Sequence, residues 1–130
     1  MKTGTFLTAM LALSLAAASP ARAACDSFAK AHKLYVAELN VMLKELKRVE
    51  ATKPKPRSDA VFCLALRKVL RDTPYIVTYA DRSCFQTDGQ LQEFKTNVKN
   101  YAKNVATMAG LYCSAAEMKR PLPKLLDGKI

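Results

Sequence analysis

The sequence has no tryptophan, one histidine and four glycines, and 11 acidic residues stand against 21 basic ones. A single histidine rules out a metal centre built on several imidazoles. No two cysteines lie two or three residues apart, so both zinc-ribbon spacing and the Cys-x-x-Cys-His of c-type haem are missing. The scattered glycines supply no Gly-rich phosphate loop. No cofactor is implied, and no enzyme is expected.

What is present begins with a leader. Lys2 gives a positive start, residues 6–18 form an apolar run too short to span a bilayer comfortably, and Pro20 is expected to break any helix. Ala21-Arg22-Ala23 then offers small residues at the positions a signal peptidase reads. Residues 1–23 are therefore expected to be a cleaved secretory signal of bacterial type, and the address periplasmic or secreted. Lipidation at Cys25 is not expected, because Arg22 stands where a lipobox has a Leu-like residue.

About 107 residues remain, enough for one small domain with a modest core. All four cysteines, Cys25, Cys63, Cys84 and Cys113, survive cleavage. An even count in an exported chain points to disulfides. The net charge of +10 falls to +8 when Lys2 and Arg22 leave with the leader. Outside the cytoplasm such a cation attracts anionic lipid, glycan or an acidic protein, and nucleic acid is not an expected partner.

Two stretches show helical periodicity. In residues 88–113, Leu91, Phe94, Val98, Tyr101, Val105, Met108 and Tyr112 alternate steps of three and four, forming one apolar stripe. Asp88 is the expected cap, and the helix is expected to continue to about Lys119, where Pro121 and Pro123 stop it. In residues 26–49, Phe28, His32, Tyr35, Leu39, Met42, Leu46 and Val49 step in the same way, with Asp26 or Ser27 as the expected cap. That predicts a helix of about 25 residues, roughly 38 Å long. Leu34, Val36, Val41 and Leu43 are expected to widen its buried face.

Between these stretches, residues 51–58 carry two prolines and three basic side chains and read as a solvated loop. A helix then starts at Ser58 or Asp59 and buries Val61, Phe62, Ala65, Leu66, Val69 and Leu70. At Thr73-Pro74 the chain can turn to a strand, since residues 75–79 are β-branched and aromatic. A lone strand has no partner for its ladder bonds, so the reading is helix. It is kinked at Pro74, with Thr73 capping a fresh segment to about Ser83.

Three long helices joined by short turns predict an all-α, up-down-up bundle over residues 24–119, with a basic, partly mobile tail over residues 120–130. Cys25 and Cys84 then fall at one end (the bottom) and Cys63 and Cys113 at the other. Pairing Cys25–Cys84 and Cys63–Cys113 keeps each bond within a Cα separation near 7 Å, which the alternatives violate.

Few residues suggest chemistry. His32 lies on the core stripe and is the one candidate pH sensor. Glu38 and Glu45, with Lys44 and Lys47 nearby, read as surface acids, as do Asp81 and Asp88. The basic residues are more informative. The top gathers Lys44, Lys47, Arg48, Lys53, Lys55, Arg57, Lys119 and Arg120, with Lys124 and Lys129 in the tail. This is the candidate anion-binding surface. Lys95, Lys99 and Lys103 form a second basic line, one helical turn apart.

The expected function is binding: a basic end set against an acidic protein or an anionic envelope surface. The alternatives are a membrane-active or lipid-binding module and a small acid-responsive chaperone resting on His32 and the carboxylates. Saposin-like domains are similar in being small, helical, basic and cross-linked. They carry six cysteines in a recurrent pattern, however, and the four here are spaced otherwise, so no residue carries over. The wide apolar face of the first helix leaves a homodimer open.

Overall fold

The computed structural model describes residues 20–122. The leader up to residue 19 and the tail from residue 123, with Lys124 and Lys129, lie outside them. Three long helices form a bundle: α1 (Pro20–Ala51), α2 (Ala60–Tyr79) and α3 (Asp88–Tyr112). A 3-10 turn at Arg82–Cys84 links α2 to α3, and a short α4 (Ala115–Met118) follows. Among the described residues there is no strand, so the 75–79 segment is helical as expected. Helix α2 packs along α1 and along α3, and α4 rests on α2.

Several boundaries differ from the sequence reading. Helix α1 starts at Pro20 rather than at Asp26, so Asp26 and Ser27 lie inside it and cap nothing. A proline in the first turn gives up an N–H that has no intrahelical acceptor, and the alanines that follow favour helix. Thr87, not Asp88, caps α3, its hydroxyl accepting from the Gln90 N–H at 3.1 Å. That helix ends at Tyr112, with Cys113 as its extended C-cap, instead of continuing to Lys119. Ser114 then caps α4 by accepting from the Glu117 N–H at 3.1 Å.

Helix α2 runs unbroken through Pro74 to Tyr79. No fresh segment begins at Thr73, whose hydroxyl turns back and donates to the Val69 carbonyl at 2.8 Å. Thr78 does the same to the Pro74 carbonyl. Packing on both sides holds the helix across a residue that cannot donate to the previous turn.

The two disulfides are those expected. Cys25–Cys84 closes the bottom with a Cα separation of 5.1 Å, and Cys63–Cys113 closes the top at 5.9 Å. Next to the first, Phe28, Phe85 and Phe94 pack as a ring cluster, with Phe28 and Phe94 edge to face at 5.2 Å. Next to the second, Phe62 meets Tyr112 edge to face at 5.3 Å. Such pairs add to the stability from area burial.

The α1 stripe is well covered: Phe28, His32, Tyr35, Met42 and Val49 are buried. The α3 stripe is covered less, with Leu91 and Val105 buried and Phe94, Val98, Tyr101, Met108 and Tyr112 half-buried. Val41 and Leu43 do not widen the buried face of α1, since they are 52% and 41% exposed. On the other side, Val61 of α2 is exposed instead of buried.

Candidate functional site

The basic end is built around the α1–α2 loop, which is tied down at both sides. Thr52 donates its hydroxyl to the Arg48 carbonyl at 2.8 Å. Ser58 takes a positive φ of 51° and donates its N–H to the Tyr112 carbonyl at 3.1 Å. Its hydroxyl accepts from the Ser114 N–H at 3.0 Å. The loop is thereby fixed to the end of α3, beside the Cys63–Cys113 bond.

Of the eight residues expected to make the anion-binding surface, two are already engaged. Arg48 reaches Glu45 at 2.5 Å and Asp59 at 2.6 Å. Arg120 pairs with Glu117 at 3.0 Å. Asp59 also caps α2 through the Phe62 N–H, and the Arg48 hydrogen bond and this one hold its carboxyl below the usual range. Lys44, Lys47, Lys53, Lys55, Arg57 and Lys119 are exposed, and none forms an ion pair with another described residue. Lys53, Lys55 and Arg57 share one short loop, which makes them the densest positive charge at this end without an ion-pair partner among the described residues. On α3, Lys99 and Lys103 are exposed and Lys95 is half-buried.

A cleft of about 530 Å³ opens beside this loop, between the start of α2 and the chain around α4. Arg67 and Glu117 line it and are both buried. Arg67 Nη1 donates to the Arg120 carbonyl at 2.6 Å. Sequence reading passed over Arg67, because a cation two turns into an amphipathic helix looks like a solvated side chain.

A second polar cluster lies inside the α1–α2 interface. Arg71 grips Asp72 through two bonds of 2.7 and 2.6 Å and reaches Glu38 at 3.4 Å. Asp72 is wholly buried and Glu38 nearly so, which corrects the reading of Glu38 as a surface acid beside Lys44 and Lys47. Burial, then the neighbouring Asp72, pushes the Glu38 carboxyl up to about 8. One guanidinium faces two carboxylates in this interface, and the crowding of negative charge adds to the burial that raises Glu38. Beside them, the Tyr35 and Thr73 hydroxyls are 2.7 Å apart.

His32 sits among Phe28 and Phe94, with ring centroids 5.8 and 5.9 Å away, and burial lowers its titration. Glu45, Asp81 and Asp88 serve local structure: Glu45 pairs with Arg48, Asp81 caps the 3-10 turn, and Asp88 meets Arg82 at 2.5 Å. Among the described residues no cluster of His, Cys, Asp and Glu has the makings of a metal site.

Fold and site together define a small helical bundle, stapled at each end by a disulfide, with a basic loop at one end that has no ion-pair partner among the described residues. Two disulfides fit an oxidising compartment. No described helix is long and apolar enough to cross a membrane. The chain matches no protein-family model, and no curated protein or solved structure matches it.

Proposed function

We propose that this chain is an exported, non-enzymatic binding protein of the bacterial envelope, whose basic end contacts an acidic protein or an anionic envelope component. The observation that carries the reading is the loop holding Lys53, Lys55 and Arg57. It is exposed, pinned at Thr52 and Ser58, and without acidic partners among the described residues. A fixed cluster of like charge favours an opposite surface at little ordering cost. The leader features, Lys2, the apolar run and Ala21-Arg22-Ala23, support a periplasmic address. The test is capture from an envelope fraction with the oxidised mature chain at low and high ionic strength. Retention of an acidic protein or anionic glycan, lost at high salt, is expected. Capture that salt does not weaken argues against the reading.

One observation favours a membrane-active alternative. Val61 and Leu111 are 57% and 77% exposed and belong to the helix ends nearest the basic loop. Co-sedimentation with anionic vesicles separates the two: protein binding predicts weak, salt-reversible association without leakage, and a membrane module predicts leakage.

A further inference from the structure

We propose that the partner of the basic end is a linear acidic polysaccharide, and that the outward face of α3 over residues 95–107 is the track along which it continues. The proposal rests on the reading that the basic loop meets an anionic envelope component, and it names that component's class. It starts from the composition of α3. Its two acidic residues, Asp88 and Glu93, fall in the first two turns, and no acid follows until Glu117. Over the same stretch Lys95, Lys99 and Lys103 recur every four residues, about 6 Å apart along the axis and about 12 Å from first to last. Lys99 and Lys103 are exposed and Lys95 is half-buried. The field along this face is therefore of one sign.

The neutral side chains select among polyanions. Thr96, Asn97, Asn100 and Asn104 are exposed. Thr96 stands three residues before Lys99 and Asn100 three before Lys103, so each exposed lysine has a hydroxyl or amide beside it on the helix surface. Both groups donate and accept, as sugar hydroxyls do. The large apolar side chains exposed among the described residues are Val41, Leu43, Val61 and Leu111, and none falls within residues 95–107. A protein partner is normally anchored by aromatic or arginine side chains, and a bilayer needs an apolar face to bury. This face presents neither.

Track and loop are joined. Ser58 donates its N–H to the Tyr112 carbonyl, so the basic loop sits at the end of the helix that carries the lysine row, about 14 Å along the axis beyond Lys103. The row is held at both ends, since Cys84, just before α3, is bonded to Cys25, and its C-cap Cys113 to Cys63. A row fixed in advance loses little entropy on meeting an extended chain. A polymer of uronic acid has one carboxylate per sugar, a repeat comparable to one helical turn, so successive lysines meet successive carboxylates. Contacts at the loop and on α3 by one polymer then reinforce each other, and neither alone holds it tightly.

The test is titration of the oxidised full-length chain at low ionic strength with an oligogalacturonate long enough to span loop and track, followed by amide chemical shifts. The oligomer is expected to bind saturably and to shift resonances over residues 95–107 as well as in the loop. Its methyl ester and the galacturonate monomer should bind at least about tenfold more weakly, or about 1.4 kcal/mol. Lys99→Gln with Lys103→Gln, both at exposed sites, should cost a similar factor with an unchanged melting temperature. Asn100→Ala with Asn104→Ala should weaken glycan binding at least about fivefold and leave binding of inorganic polyphosphate unchanged, a difference that charge alone would not produce. Absence of saturable binding, shifts confined to the loop, or full glycan affinity in either double variant would overturn the proposal. If the lysine pair binds as the parent does while a Lys53→Glu, Lys55→Glu, Arg57→Glu variant loses the glycan, the α3 track alone falls. If the lysine pair loses the glycan and the loop variant retains it, the track is supported and the basic-loop reading falls.

Discussion

Arg48 and Asp59 join across the base of the basic loop, Nη2 to Oδ1 at 2.6 Å, while the same Asp59 oxygen accepts the Phe62 N–H at 3.0 Å. One carboxylate thus closes the loop and caps α2. Asp59→Ala removes both roles and should lower stability by about 1 kcal/mol, the usual worth of a cap, whereas Asp59→Asn should retain most of it. The Asp59 titration is depressed, so its stabilisation is present above the unfolded carboxyl pKa and is lost as pH falls through the lower folded value. Urea denaturation of the parent and both variants at neutral and acid pH checks the order.

Glu38 behaves oppositely. Its carboxyl is raised to about 8, so its contribution is full below the unfolded carboxyl range and declines as pH rises through about 8. Glu38→Gln, neutral at every pH, should be more stable than the parent at alkaline pH and nearly equal to it at acid pH. A denaturation midpoint that shifts equally at both ends of the range would contradict the assignment.

Burial lowers the titration of His32, so its stability contribution is present above the ordinary histidine value of 6.5 and falls as pH drops below it. His32→Leu should flatten the acid side of the stability profile and leave the alkaline side unchanged. Midpoints measured through the mildly acidic range decide this.

The Cys63–Cys113 bond spans a sequence separation of 50 and holds the loop-bearing end together. Replacing both cysteines with alanine should cost about 4 kcal/mol on the chain-entropy model, a large share of a small domain's stability. Thermal unfolding followed by circular dichroism should show a clearly lower midpoint. A midpoint equal to the parent's would mean that packing around Phe62 and Tyr112 suffices.

Much of this was legible in the sequence, because helical periodicity and cysteine placement are strong constraints. Leu91 to Tyr112 and Phe28 to Val49 fell on the expected faces, and two disulfides at opposite ends follow from the helix lengths alone. The break at Cys113 also had a signal, Ser114-x-x-Glu117, which reads as a helix start but was absorbed into a longer periodic run. Arg67, Arg71 and Asp72 carried no such signal. Charged residues on a helix are normally solvated, and only the approach of α1 or of the chain around α4 buries Arg67 and Asp72 and half-buries Arg71. Local pattern read the chain through Pro74 as helix, which it is, but took Thr73 for a fresh cap where packing carries one continuous helix to Tyr79.

The most direct measurement is envelope binding by a single variant carrying Lys53→Glu, Lys55→Glu and Arg57→Glu, compared with the parent at low and high ionic strength. All three side chains are exposed, so the fold should be retained and the melting temperature little changed. The account predicts that the variant loses the salt-sensitive binding that the parent shows at low ionic strength. Salt-sensitive binding that persists undiminished in the variant would contradict it.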